Sequence, residues 1–321
     1  MKKKKVDILL STYNGDEFLE ELLDSIIEQT YDEWQLLIRD DGSTDGTIKI
    51  LHAYKEKYPD KITLIIDDKG NLGVLRSYSL LLGLSINDYI MLCDQDDVWL
   101  PEKVEHSVNV IEKFGASGAQ PLMVFTDLKV VDQDRNVISD SFFKYRRLNA
   151  GSIKLQNLLL QNVATGCTII MNQELKKMVL PIPDQAIMHD WWIALNASIT
   201  DGLRVDHSSF ILYRQHAQNT IGAKRPNMPY VINRLKSLQK MTEEIEKISL
   251  QAQALLERHG HRMNLVEYKT TAFVAQVLCQ NRRSRIYNCL RYGVSKSNLL
   301  KDLVFLVLLL ILKVRRSGEN K

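Results

Sequence analysis

The stretch YIMLCDQDDVWL, residues 89–100, places three carboxylates directly after a short apolar run. An apolar run of this length that stops at polar residues predicts a buried strand. The carboxylates belong to Asp94, Asp96 and Asp97, and groups this close raise one another's pKa unless a cation compensates their charge. Since Mg²⁺ takes oxygen ligands and is often shared between carboxylates and phosphates, the stretch indicates a metal–diphosphate site. The alternative is an acidic turn that faces solvent.

Strands alternate with helices on the N-terminal side of this stretch. The strands are VDILLSTYN, WQLLIRD and KITLIIDD, and the helices are DEFLEELLDSIIEQTY, DGTIKILHAYKEKY and GVLRSYSLLLGL. This order predicts an α/β fold with a mostly parallel central sheet flanked by helices. Ligands bind beyond the carboxyl ends of such strands. Polar clusters lie at those ends, at residues 11–14, 40–45, 67–71 and 94–97.

The regular alternation of strands and helices changes twice further along the chain. Strands are predicted at PLMVFTDLKVVD and GCTIIMN, and FILYRQHAQNTIG predicts a strand that leads into a polar loop. HDWWIALNASITDG predicts a helix with Asp190 in its first turn. From about residue 229 the pattern is mostly helical. We therefore predict a catalytic domain over residues 1–225 and a helical C-terminal region over 226–321.

The composition is that of a globular protein, with 321 residues, 45% hydrophobic and 25% charged. The four cysteines are scattered and form no CxxC pair, which favours reduced thiols over disulfides or zinc. The first residues do not resemble a secretion signal, because the apolar run after the initial lysines is too short. We expect a cytoplasmic location.

Charge is distributed unequally along the chain. Residues 226–321 contain 17 Lys and Arg against 7 Asp and Glu, a net charge of +10, so residues 1–225 carry −7 of the total of +3. The tail also has an apolar run of ten residues, 303–312, flanked by basic residues. Because a bilayer span needs about 20 residues, the run predicts an anchor on an anionic membrane surface. A buried or homodimer-forming helix is the alternative. Few aromatic residues interrupt the basic tail, which argues against nucleic acid as a partner.

Four motifs, STYNG, DDGSTDGT, NLG and CDQDDVW, occur in this order and together resemble glycosyltransferase family 2. The resemblance covers residues 6 to about 222. CDQDDVW, HDWW and YRQHAQNTIG are most similar to the bacterial rhamnosyltransferase branch. The resemblance implies a GT-A type nucleotide-binding fold and the transfer of a sugar from a nucleotide-sugar donor.

The resemblance also implies roles on the donor side. Ser11, Tyr13 and Asn14 would line the nucleotide pocket, and Asp41 would accept a hydrogen bond from the base. Arg76 is a candidate for reaching the donor, although its spacing departs from the commonest family pattern and also suits a surface helix residue. Asp96 would bind a divalent metal, Mg²⁺ or Mn²⁺, with Asp94 beside it as a second ligand or as a contact to the donor sugar or ribose.

Three further residues receive roles near the acceptor and the leaving group. Asp190 would be the general base, as family members place it at the start of a helix late in the fold, with His189 in place of the usual Glu. A carboxylate stabilised by the helix N-terminus is the structural alternative for Asp190. His216 would be a further metal ligand and Arg214 would face the diphosphate.

These roles predict an inverting glycosyltransferase that moves L-rhamnose from dTDP-L-rhamnose onto a growing bacterial cell-surface polysaccharide. The acceptor would be a glycan or a lipid-linked glycan, and the enzyme would lie at the inner face of the plasma membrane. Two alternatives are the transfer of another hexose from a UDP-sugar and an inactive scaffold subunit. The intact DxD sequence and Asp190 argue against the scaffold.

Overall fold

The computed structural model describes residues 3–115, 120–216, 238–296, 299–312 and 314. Its N-terminal part alternates strands with helices, as predicted. The strands are β1 (Val6–Thr12), β2 (Trp34–Asp40), β3 (Ile62–Ile65) and β4 (Tyr89–Cys93), and the helices between them are α1 (Asp16–Ile27), α2 (Thr47–Lys57) and α3 (Val74–Leu84). β1 pairs in parallel with both β2 and β4, and β2 with β3, so the ends of these four strands point to one edge.

The second part of the chain extends this sheet. Its strands are β5 (Val98–Trp99), β6 (Met123–Val131), β7 (Val137–Ser139), β8 (Ile169–Asn172) and β9 (Leu203–Arg214). Its helices are α4 (Lys103–Phe114), α5 (Phe142–Arg146), α6 (Leu155–Leu158), α7 (Gln173–Val179) and α8 (His189–Ser198). The described strands form one sheet in the order β3-β2-β1-β4-β8-β6-β9-β5, with β7 on β6. Because β8 runs antiparallel to both β4 and β6, the sheet is mixed and less parallel than the sequence suggested.

Alternation along β1 explains why the sheet has a core on both faces. Ile8 and Leu10 pack against apolar residues of α1, such as Leu22. Leu9 points to the opposite face and joins a second cluster that includes Trp192 of α8. Side chains of a strand alternate between the faces, so a strand covered on both sides reads as a continuous apolar run. The sequence shows this pattern at residues 8–10, where Ile, Leu and Leu follow one another.

After the sheet, the described residues form four helices: α9 (Leu238–His259), α10 (Leu265–Ala275), α11 (Arg282–Arg291) and α12 (Leu299–Ile311). They pack on the face of the sheet that carries Leu9, because Ile245 of α9 and Leu309 of α12 belong to the same buried cluster. The C-terminal helices therefore complete the core on this face of the sheet.

Helix α12 contains nearly all of the apolar run 303–312 and has two different apolar faces. One face is buried and contains Phe305, Leu308 and Leu309. The other face, which we call the outer stripe, consists of Leu303, Val307, Leu310 and Ile311, each between 44% and 58% exposed. No helix among the described residues is long and apolar enough to cross a membrane. The run is thus a packing element on one side and an exposed apolar surface on the other.

Candidate active site

The polar ends of the parallel strands border a cavity of about 1570 Å³. Helices α8, α9 and α12 contribute to its other walls. The cavity brings together most of the site residues predicted from the sequence, namely Ser11, Tyr13, Asn14, Asp41, Asp94, Asp96, Asp190 and His216. The rule that ligands bind beyond the carboxyl ends of such strands explains why residues distant in sequence meet here.

The turns after β1 and β2 hold each other in place. The Asn14 backbone N–H donates to Ser43 Oγ at 2.8 Å, and Asn14 Oδ1 accepts from the Thr44 N–H at 2.8 Å. Asn14 has a φ of 46°, a left-handed conformation that Asn tolerates better than most residues. Gln95 fixes the backbone of Tyr13 through two hydrogen bonds, of 2.8 and 3.0 Å. Both turns are therefore shaped before any ligand binds.

Asp41 is positioned by a buried charge network. Arg39 donates to Asp41 and also forms a two-pronged pair with Asp67, at 2.9 and 3.0 Å. Asp67, and then Asp41, raise the pKa of Arg39, while burial lowers it. Asp41 Oδ2 accepts one hydrogen bond, from the Gly73 N–H at 2.8 Å. A carboxylate oxygen can accept two, so this oxygen has capacity for one further donor.

Three carboxylates and one imidazole form the centre of the cavity. Burial, followed by the charges of Asp96 and Asp190, raises the pKa of Asp94 to about 7. Burial also raises the pKa of Asp190 to about 7, although its Oδ1 accepts a hydrogen bond of 2.6 Å from the Trp191 N–H. His216 Nε2 lies 2.8 Å from Asp96 Oδ2. The site concentrates negative charge in a poorly solvated place, which favours binding of a cation.

The donor atoms at this centre suit a divalent metal. Asp94 and Asp96 offer carboxylate oxygens and His216 an imidazole nitrogen, a set compatible with Mg²⁺ or Mn²⁺. A neighbouring group, in which Asp97 and Cys167 join Asp94 with ligand atoms within 4.8 Å of one another, fits less well. Asp97 and Cys167 are fully buried behind the cavity.

A buried lysine lies close to Trp99, with Lys103 Nζ 4.4 Å from the centroid of the ring. Burial lowers the pKa of Lys103 to about 8, whereas Cys167, Cys93 and Asp97 act to raise it. Lys103 does not line the cavity, in contrast to Asp94, Asp96 and His216.

Two predicted residues are not part of the cavity wall. Arg76 is exposed and pairs with the exposed Asp184 at 3.0 Å. The guanidinium of Arg214 is buried, with Nη2 2.7 Å from Glu21 Oε2 and Nε donating to the Asp96 carbonyl at 3.1 Å. Its described contacts therefore support the loop that carries Asp96, in contrast to the predicted position at the diphosphate.

Gly166 and His189 shape the surroundings of Asp190. His189 stacks on Tyr78 with ring centroids 4.0 Å apart, and burial lowers its pKa to about 3, so the ring is neutral. A Cβ on Gly166 would lie 3.2 Å from His189 Nε2 and 3.7 Å from Asp190 Cβ. A side chain at position 166 would therefore crowd His189 and contact Asp190.

Sequence reasoning missed a set of basic residues on the opposite wall. They are Arg146, Arg147, Lys247, Lys296 and Lys301, and all of them line the cavity. No motif marks them, because they come from separate elements that meet only in the folded chain.

Two solved structures share this architecture. Staphylococcus aureus TarS, residues 1–349 in complex with UDP, superimposes with a TM-score of 0.54 at 17% identity, covering 91% of this chain and 92% of that one. The mannosyltransferase PcManGT from Pyrobaculum calidifontis, in complex with GDP-Man and Mn²⁺, gives 0.51 at 18% identity, covering 96% and 84%. At these identities the likeness shows the fold alone, and it confirms the predicted GT-A type α/β fold.

The sequence itself defines the family. Residues 7–178 match the model of glycosyl transferase family 2, which is more than half of the chain, so the protein belongs to that family. A curated relative, the dTDP-rhamnosyl transferase RfbG of Shigella flexneri, is 28% identical over 230 residues, 67% of this chain and 74% of that protein. An uncharacterized glycosyltransferase of Rickettsia typhi is 26% identical over 222 residues, which cover 65% of its length.

Proposed function

We propose that this chain is an inverting glycosyltransferase with Asp190 as its general base. The observation that carries the proposal is the meeting of Asp94, Asp96, Asp190 and His216 at one cavity. A base is most effective when its pKa lies near the working pH, and that of Asp190 is about 7. Asp190 would take the proton of an acceptor hydroxyl while that oxygen attacks the anomeric carbon and the bond to the diphosphate breaks on the opposite face.

The donor would bind over the ends of β1 and β2. Ser11, Tyr13 and Asn14 border this part of the cavity. Asp41 Oδ2 would accept from the N3–H of a uracil or thymine base, because it has capacity for one more hydrogen bond. Asp94, Asp96 and His216 would hold Mg²⁺ or Mn²⁺, and such a cation neutralises the charge of a departing nucleoside diphosphate. Arg214 would keep the Asp96 loop in position.

We propose dTDP-L-rhamnose as the donor and a bacterial cell-surface polysaccharide as the product. The dTDP-rhamnosyl transferase among the relatives supports this choice. The alternative is another hexose from a UDP-sugar, and it is favoured by the UDP in the complex of TarS. Thymine and uracil present the same N3–H to Asp41, so the recognition of the base fits both donors.

A screen of nucleotide sugars tests this proposal. In the presence of Mg²⁺ or Mn²⁺, we expect the purified protein to hydrolyse dTDP-L-rhamnose slowly, and faster than UDP-glucose, UDP-N-acetylglucosamine or GDP-mannose. Released nucleoside diphosphate is the measured quantity, and the same reactions with excess EDTA are the control. Preference for a UDP-sugar would establish the alternative donor. If the protein neither binds nor hydrolyses any of these donors, that result would contradict its assignment as an enzyme.

We also propose that the outer stripe of α12 docks on an anionic membrane at the inner face of the plasma membrane. The stripe exposes four large aliphatic side chains. The C-terminal helices around it carry exposed basic residues, including Arg282, Arg283 and Arg291. Apolar side chains that enter the headgroup region and cations that pair with lipid phosphates reinforce each other.

Substitution in the outer stripe tests the membrane proposal. Leu303→Gln/Leu310→Gln should lower sedimentation with phosphatidylglycerol vesicles at least about tenfold, because each buried Leu contributes roughly 1.5–3 kcal/mol. The control Leu84→Gln/Ile86→Gln removes two aliphatic side chains that are exposed elsewhere and should have no effect. Deleting α12 would be a poorer test, since Phe305 and Leu309 belong to the core. If the intact protein does not bind vesicles but forms a dimer, and the double variant does not dimerise, the outer stripe is a dimer surface.

A further inference from the structure

The cavity has room for more than a nucleotide sugar. Its volume is about 1570 Å³, whereas pockets for drug-sized ligands typically span about 300–1,000 Å³. The residues assigned to the donor come from the strand ends, so the space bordered by α9 and α12 is left for the acceptor.

Charge in the cavity is divided between these two sides. The carboxylates that line it come mostly from the strand ends, from the first turn of α1 and from α8, among them Asp41, Asp94, Asp96 and Asp190. Among the described residues, the Lys and Arg side chains that line the cavity come from two regions. One region is α5 with the residue after it, and the other is α9, α12 and the segment before α12. We call this set, Arg146, Arg147, Lys247, Lys296 and Lys301, the basic wall. Glu244 of α9 is the one carboxylate that lines the cavity beside it in the described C-terminal helices. The acceptor side therefore favours an anion.

An aliphatic surface accompanies the basic wall. Ile245 and Ile248 of α9 and Val304, Phe305 and Leu308 of α12 all line the cavity. Lys296 Nζ lies 5.8 Å from the centroid of the Phe305 ring, so cation and apolar surface are adjacent. A hydrophilic glycan gains little from an aliphatic surface, whereas an anion attached to a hydrocarbon chain uses both features.

Helix α12 connects this surface with the outside of the protein. Lys301, Val304, Phe305 and Leu308 follow each other at helical spacing and face the cavity. The outer stripe lies on another face of the same helix. One helix is about 10–12 Å across, so the exposed apolar surface and the acceptor side of the cavity are separated by a single helix.

We propose that the basic wall binds the phosphate of a lipid-linked acceptor, whose first hydrocarbon units lie on the aliphatic surface of α9 and α12. The assignment rests on the proposed function, because it concerns the acceptor half of the same cavity. With the outer stripe on a membrane, the acceptor lipid reaches the cavity without leaving the bilayer. The glycan, attached to the phosphate on the side away from the hydrocarbon chain, would then reach Asp190.

Binding of farnesyl phosphate, below its micelle concentration, tests the inference by titration calorimetry with the full chain. We expect saturable binding, and Arg147→Glu/Lys247→Glu should weaken it about tenfold or more, because two charge-assisted contacts become repulsive. The matched control is Lys144→Glu/Lys240→Glu, which reverses two exposed charges on α5 and α9 that do not line the cavity. This control should bind like the intact protein.

The probe's two parts separate the sources of binding. Farnesol lacks the anion and inorganic diphosphate lacks the hydrocarbon chain, and each should bind at least about tenfold more weakly than farnesyl phosphate. Diphosphate binding as tight as that of farnesyl phosphate would indicate a soluble polyanionic acceptor and overturn the lipid assignment. Equal losses in both double variants would mean nonspecific charge attraction and overturn the site. Donor hydrolysis is measured separately, so failure of the proposed function is distinguishable from failure of this inference.

Discussion

Asp190→Asn is expected to lower the rate of glycosyl transfer by about 100-fold or more, a typical size for lost general-base catalysis. The amide keeps the shape of the side chain, and its oxygen can still accept from the Trp191 N–H, but it cannot take a proton from the acceptor hydroxyl. Affinity for the donor should change little, because Asp190 is assigned to the acceptor. The measurements are kcat for transfer and the Kd of the nucleotide sugar.

The pH dependence gives a second readout of the same residue. Burial raises the pKa of Asp190 to about 7, so the carboxylate is lost as the pH falls through that value. With saturating metal, which favours the ionised form of Asp94, the rate of the intact enzyme should drop about tenfold per pH unit below it, and the variant should lose the contribution of Asp190 to this acid limb. Asp184→Asn, which changes an exposed carboxylate outside the cavity, is the control. If Asp190→Asn transfers at the normal rate, another group is the base.

The sequence allowed prediction of the strand-end carboxylates because both of their determinants are local. Apolar runs mark the strands, and polar residues directly after them lie at one edge when the strands are parallel. Arg76 suited both a contact to the donor and a surface helix residue in the sequence. The buried positions of α3, Ser77, Tyr78, Leu81 and Leu82, form one stripe, and Arg76 lies outside it. The packing of α3 therefore favours the surface interpretation.

Arg214 and the basic wall depend on contacts that no local pattern contains. Arg214 is buried because Glu21 of α1 and the Asp96 carbonyl meet it, and these groups lie far away in sequence. Lys247 and Lys301 reach the cavity because α9 and α12 pack on the face of the sheet beside α8. The run 303–312 is apolar on all sides, so its sequence could not distinguish the buried face of α12 from the exposed one.

Asp96→Ala is expected to abolish metal-dependent transfer, with a loss of about 1000-fold or more. A bound divalent cation contributes several kcal/mol by balancing charge on the leaving group, and Asp96 is central to the proposed ligand set. Its Oδ2 lies 2.8 Å from His216 Nε2, so the substitution also removes the partner that orients this imidazole. The affinity for Mn²⁺, measured by titration calorimetry, should fall together with the affinity for the donor. This joint loss distinguishes a metal ligand from a residue that only supports the loop.

The control for this prediction is Asp134→Ala, which removes an exposed carboxylate that does not line the cavity. It should leave Mn²⁺ binding, donor affinity and transfer unchanged. Full activity of the intact enzyme in excess EDTA would contradict the metal proposal, because the leaving diphosphate would then be balanced by protein cations alone. In that case the basic wall would be the first place to seek those cations, and Arg147→Glu/Lys247→Glu should then reduce kcat. With the metal proposal correct, the same double variant should affect the acceptor and spare donor hydrolysis.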